Sequence, residues 1–219
     1  MTIGTDGPLD VQWIDNQYLA STRTGPSPDQ VAVYQFNPAG PTLSFVTFQS
    51  IGNNSLAYLA IHPSGDYLYA NDSGTNVVRA YSVGVGGTLT LIDTESTGTP
   101  FPLELAISQD GKRLYGAGGI SNGSNKVIGL DIATDGTLSP IAGTPFVSPG
   151  NSPSNVFSNG FNTIAAAGHG SDATVRTFLM DGTTGALTSS GSSFDVGLQG
   201  TLGDVRFLGD QLFVTDNST

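Results

Sequence analysis

Apolar and polar positions alternate along this chain in short runs, and the runs return in a fixed order. VAVYQF from Val31, VVRAYSV from Val77, KVIGLDI from Lys126 and TVRTFL from Thr174 each put every second side chain on one face, the period of a half-buried strand. A strand with a hydrophobic anchor precedes each of them, at Leu19, Leu68, Leu114 and Ile164, and a fifth anchor stands at Leu212. A leucine in a tight turn follows each, at Leu43 in GPTLSF, Leu89 in GGTLTL, Leu138 in DGTLSP and Leu187 in TGALTS. Both series recur every 46 to 50 residues.

A unit of that length reads as strand, turn, strand, polar loop, strand, turn, strand, and it cannot bury its apolar faces alone. Repetition has to supply the core. The repeats run at about 7–53, 54–99, 100–151, 152–199 and an incomplete 200–219, as one domain over residues 1–219. Inner strands are expected near residues 9–14, 56–62, 103–108, 153–158 and 202–207, with the five anchors buried between units.

Composition changes the picture little where fold is concerned. The 30 glycines and 12 prolines suit frequent turns, and no stretch shows the spacing of a helix longer than two turns, so an all-β protein is expected. No apolar run approaches the roughly 18 residues of a membrane span, and MTIGTDG has neither a basic nor an apolar leader region. Charge is more informative. With 18 acidic against 7 basic residues the net charge is -11, which repels phosphate backbones and anionic lipid and sets aside nucleic-acid and membrane partners. The chain has no cysteine, which removes disulfides, thiolate metal sites and cysteine nucleophiles. A low charged fraction of 11% with abundant Ser, Thr, Asn and Gly points toward an exported or cell-surface protein. Four glycosylation sequons occur, at Asn53, Asn71, Asn122 and Asn217, each in a predicted loop.

Two repeats are distinctive. LAIHPSGDYLYANDSGTNVVRAYSVGVGGTLTLI, residues 59–92, and LAISQDGKRLYGAGGISNGSNKVIGLDIATDGTLSPI, residues 105–141, resemble blades of the lactonase-type seven-bladed β-propellers. That family includes a bacterial 6-phosphogluconolactonase and a fungal carboxymuconate-cyclising enzyme. The resemblance implies four-stranded antiparallel blades around a central channel, hence a β-propeller arc of four blades plus half of a fifth. It also implies, as one function, a hydrolase that opens a sugar lactone or similar cyclic ester. The family's proline, basic residue and histidine at the start of such a strand stand here as Pro102, Leu103 and Glu104. No histidine occupies any of the five equivalent positions, so the resemblance carries the blade rather than the hydrolytic residues. A ring of seven such blades needs roughly 336 residues. The open edges are therefore expected to be met by the remainder of a longer chain or by self-association, because an uncovered strand edge invites pairing.

Reading the inner strands in register, PLDV, LAYL, PLEL, PSNV and LGDV, places Asp10, Tyr58, Glu104, Asn155 and Asp204 toward the channel. Three chemistries are open to them. Asp10, Glu104 and Asp204 could supply oxygens to calcium, which takes six to eight of them in irregular geometry. Paired carboxylates could instead divide acid and base work on a lactone ring. The side chains could also simply solvate a water-filled channel. Whichever holds, three converging carboxylates need their repulsion relieved.

Ligand-face loops contribute a second set: Arg23, Asp72, His169 and Asp172. His169 beside Asp172 could act as a general base, whereas His62 falls in the turn at the opposite end. GISNG, residues 119–123, matches a nucleophile-elbow pattern around Ser121 but lies between strands, where that motif has no helix to start. The catalytic residue, if any, is not identified by sequence. Three function classes remain: a propeller that binds a small molecule, glycan or protein, a lactone hydrolase, and a structural repeat of an extracellular assembly. Fold alone does not choose among them. Gly-, Ser- and Asn-rich loops favour binding, because an anionic lactone would need basic clamps.

Overall fold

The computed structural model describes residues 10–23, 29–52, 58–98, 103–118, 125–149, 153–160, 162–168, 174–195, 202–208 and 211–216. Four antiparallel sheets and one strand pair follow one another along the chain, each built from consecutive strands. The first blade is β1 (Val11–Trp13), β2 (Tyr18–Arg23), β3 (Asp29–Asn37) and β4 (Thr42–Gly52). The second is β5 (Leu59–Ile61), β6 (Tyr67–Asp72), β7 (Val77–Val83) and β8 (Leu89–Ser96). The third comprises β9 (Leu105–Ile107), β10 (Arg113–Ala117) and β11 (Lys126–Ile132), its outer edge split into β12 (Leu138–Pro140) and β13 (Phe146–Val147). The fourth is β14 (Pro153–Ser158), β15 (Thr163–Gly168), β16 (Thr174–Met180) and β17 (Leu187–Asp195). β18 (Leu202–Leu208) and β19 (Gln211–Asp216) pair as the first half of a fifth. Among the described residues the only helix is the 3-10 turn Val85–Gly87.

Strand alternation gives each blade two faces, and the core lies between blades. Blade 1 contributes Ala20, Val31, Val33 and Ile51 to a cluster with Leu59, Leu68, Tyr81 and Leu89 of blade 2. Tyr69, Val78 and Ala80 on the other face of blade 2 meet Leu114, Ile128, Leu130 and Leu138 of blade 3. Tyr115, Ala117 and Val127 then meet Val156, Ile164, Phe178 and Leu187 of blade 4. Leu68, Leu114 and Ile164 thus each face the preceding blade and are fully buried. Leu19 and Leu212, expected to match them, are half-buried. The reason is positional: no described blade lies against the Leu19 face, and Leu212 belongs to a pair of strands rather than a full sheet.

The blades are also clasped near their glycine turns. Tyr69 Oη donates to Gly136 O at 3.2 Å, and one blade further on Tyr115 Oη donates to Gly185 O at 2.7 Å. The residue before each anchor lies over the same turn. Tyr67 packs on Gly136 and donates to Thr134 O, while Arg113 packs on Gly185 and donates to Thr183 O. Both glycines have positive φ, and a Cβ at either would strike the side chain above it, so the turn can carry only glycine. Asp135 Oδ1, accepting from Thr137, and Asp181 Oδ1, accepting from Thr183 and Thr184, shape these turns, and those hydrogen bonds hold both carboxyls below the usual range.

Candidate functional site

The register of the inner strands organises the channel wall in tiers. Asp10, Tyr58 and Glu104 stand just before their inner strands and Asn155 is the third residue of β14, and because side chains repeat with period two, Gln12, Ala60, Ala106, Phe157 and Arg206 form the tier beneath them. The first tier does not stand free in the channel. Asp10, Glu104 and Asn155 each bond a group of another blade.

Glu104 carries the chemistry. Its Oε1 lies 2.7 Å from Nη1 of Arg206, and its Oε2 accepts from Nδ2 of Asn155 at 3.0 Å. Three successive units are thereby joined by one carboxylate, which is itself only 7% exposed. Arg206 Nη1 also donates to Val205 O at 3.0 Å, and the guanidinium lies 4.8 Å over the Phe157 ring. Cation, carboxylate, amide and ring therefore fix one another. Glu104, Phe157 and Arg206 form part of the wall of a cavity of about 310 Å³ that crosses all five units, and Gln12, Gln109 and Ser158 are among the polar residues of its remaining lining.

Asp10 performs a backbone task instead. Its Oδ2 accepts from Leu59 N–H at 2.8 Å, tying blade 1 to blade 2, and its Oδ1 accepts from Val11 N–H and Gln12 Nε2. Tyr58 contributes through its main chain, where its N–H donates to Asn71 Oδ1.

The sequence profile of the family described as "Lactonase, 7-bladed beta-propeller" matches residues 51–141. No curated protein matches the chain at a significant level. Among solved structures, a candidate 6-phosphogluconolactonase from Bacteroides uniformis superposes with a TM-score of 0.76 at 20% identity, over 88% of this chain and 56% of that one. The periplasmic gluconolactonase of Pseudomonas aeruginosa gives 0.72 at 19% identity, over 96% and 57%. A functionally unknown protein from Desulfotomaculum acetoxidans gives 0.73 at 21%, over 90% and 59%. The fold is that of a lactonase-type β-propeller. The chain spans 56% to 59% of the length of these three relatives.

On this propeller arc the loop candidates separate. Asp72 is fully buried, with Oδ2 2.8 Å from Arg79 Nη2 and Oδ1 accepting from Gly74 and Thr75 N–H, so its carboxylate shapes the loop between β6 and β7. Arg23 ends β2, half-buried and in register with Gln30. His169 and Asp172 lie outside the described residues, as does the segment around Ser121. Asp204 is placed by its backbone in β18, opposite Thr215, and its side chain lies outside the described residues. His62 sits in the turn after β5 and bonds Gly111 O of the next blade through Nε2 at 3.1 Å, an inter-blade tie. Of the sequons, Asn71 is not in a loop: it lies within β6, fully buried, with its side chain bonded to Tyr58 N–H. Asn53, Asn122 and Asn217 lie outside the described residues.

Among the described residues no three His, Asp or Glu side chains gather as a metal-ligand set. The Glu104 carboxylate is paired with the Arg206 guanidinium. Sequence reasoning missed Arg206 because it took only the first residue of each inner strand. Alternation from Asp204 puts Arg206 on the same face, and that signal was sufficient to find it.

Proposed function

We propose that the inner strands of this arc form the wall of an axial site that binds a small, hydroxyl-rich ligand. The Glu104–Arg206 pair braced by Asn155 carries the reading, because it sets an acceptor and a donor side by side on a concave wall crossed by all five units. A cavity of about 310 Å³ falls at the small end of the roughly 300–1,000 Å³ that ligand pockets occupy. Amide and hydroxyl groups from Gln12, Gln109 and Ser158 supply the mixed donors and acceptors that sugar-like hydroxyls need.

Lactone hydrolysis is the second reading, favoured by the gluconolactonases among the structural relatives. In that reaction water adds to the ester carbonyl, the ring C–O bond breaks, and the ring oxygen leaves protonated as the hydroxyl of an open-chain acid. Glu104 is the group on this wall that could take the water's proton. Thermal shift with D-glucose and pH-stat hydrolysis of D-glucono-1,5-lactone, run on the wild-type chain and Glu104→Gln, separate the readings. A shift without turnover supports binding, and turnover lost in Glu104→Gln supports hydrolysis. No shift and no turnover would sink both.

A further inference from the structure

Resting on the axial-site reading, we infer that the site selects uncharged ligands and turns away their phosphorylated counterparts. The inference follows from how charge is disposed on the wall rather than from its shape. Arg206 is the one cationic side chain among the described residues lining the cavity, and its Nη1 is held by Glu104 and by Val205 O. Glu104 cancels it, and Asn155 fixes the carboxylate from its other oxygen. An incoming phosphate would therefore meet a pair whose charges already cancel. Even at the exposed edge of the guanidinium it would gain a charge that Glu104 already balances, with the nearly buried carboxylate beside it as a second anion.

The surroundings make the exclusion stronger. Asp10 places a further carboxylate at the same tier on blade 1, and the chain as a whole carries a net charge of -11, so the long-range field also opposes anions. Hydroxyl groups face none of these costs. They can donate to Glu104 and exchange hydrogen bonds with the amide of Gln12 or Gln109 and the hydroxyl of Ser158 while the ion pair stays closed.

Calorimetric titration of the full chain with D-glucose and with D-glucose 6-phosphate tests this, since the two rings differ only in the phosphate. The expected result is binding of glucose at least about tenfold tighter than its phosphate, a gap of about 1.4 kcal/mol, narrowing as salt screens the wall. Glu104→Gln, which removes the negative partner and leaves the guanidinium, should raise affinity for the phosphate and shrink or reverse the ratio. Arg206→Gln should leave the preference for glucose in place. Equal binding, or tighter binding of the phosphate by the wild-type chain, overturns the inference while leaving the axial site standing. Binding of neither sugar overturns the axial site and the inference with it, and the wild-type comparison decides the matter even if a variant fails to fold.

Discussion

Glu104 and Arg206 stand 102 residues apart in the chain and 2.7 Å apart across the inner strands of blades 3 and 5. Their side chains are unequally covered, 9% exposed for the carboxylate and 41% for the guanidinium. Removing one partner is therefore not the same as removing the other. Arg206→Met leaves a nearly buried carboxylate held by Asn155 alone and should cost about 1–3 kcal/mol, a buried-pair penalty reduced by solvent on the arginine side. Glu104→Gln keeps one acceptor oxygen and should cost less, because the charge it leaves unpaired is the more exposed arginine. Urea denaturation of the two single variants and the double variant measures the coupling. Strictly additive changes would show that the pair does not join the blades.

Much of this architecture is legible from spacing. Leu68, Leu114 and Ile164 occupy equivalent buried positions because each is pressed by the blade before it, and a period of 46 to 50 residues is enough to find them. What the spacing does not convey is the partner of each inward group. Asp10 looks like a free carboxylate in PLDV, yet it binds the main chain of Leu59, a donor that exists only once two blades are docked. Asp72 looks like a loop ligand, yet Arg79 seven residues later draws it inward. The Glu104–Arg206 contact depends on how far successive blades turn about the axis, and no local pattern encodes that angle.

The tyrosines of the second strands give a contrast that melting can read. Tyr69 and Tyr115 each donate a hydroxyl to a glycine carbonyl in the next blade, so Tyr69→Phe and Tyr115→Phe should each cost about 1 kcal/mol. Tyr81 is equally buried, but its hydroxyl has no hydrogen-bond partner among the described residues. Tyr81→Phe should be neutral or slightly stabilising, because it removes a polar atom that gains nothing on burial. Equal destabilisation by all three substitutions would contradict the clasp.

Alkaline stability follows from the same residues. Burial pushes all three phenols up, Tyr81 to about 12, against about 10 for an exposed tyrosine. Between those values the folded chain keeps protons that the unfolded chain has released. The stabilisation is thus complete below pH 10 and is lost as pH rises from 10 through 12. Each such group should cost roughly 1 kcal/mol between pH 10 and 11. Tyr81→Phe should flatten that decline in a series of urea midpoints. An identical decline in the variant would mean that Tyr81 is not linked to folding.

The last expectation concerns the face of blade 1. In blades 2 to 4 the second-strand anchor is buried against the blade before it, whereas the equivalent face of blade 1 shows Trp13 at 53%, Leu43 at 54% and Phe45 at 46% exposure. Three aromatic contacts hold this surface together: Trp13 meets Phe36 edge-on at 5.5 Å, Tyr34 meets Phe45 at 6.0 Å, and Phe45 meets Phe48 at 6.4 Å. Leu68→Ala and Leu114→Ala should then cost about 2–5 kcal/mol each, since each opens a cavity between packed sheets. Leu19→Ala, at the matching position but half-exposed, should cost less than about 1.5 kcal/mol, because water already covers part of the side chain. The 219-residue chain should also bind a hydrophobic dye such as ANS, and Trp13→Ser with Phe45→Ser should reduce that signal with little loss of melting temperature. A Leu19→Ala cost equal to that of Leu68→Ala, with dye binding unchanged by the serine substitutions, would show that the blade 1 face is covered in solution.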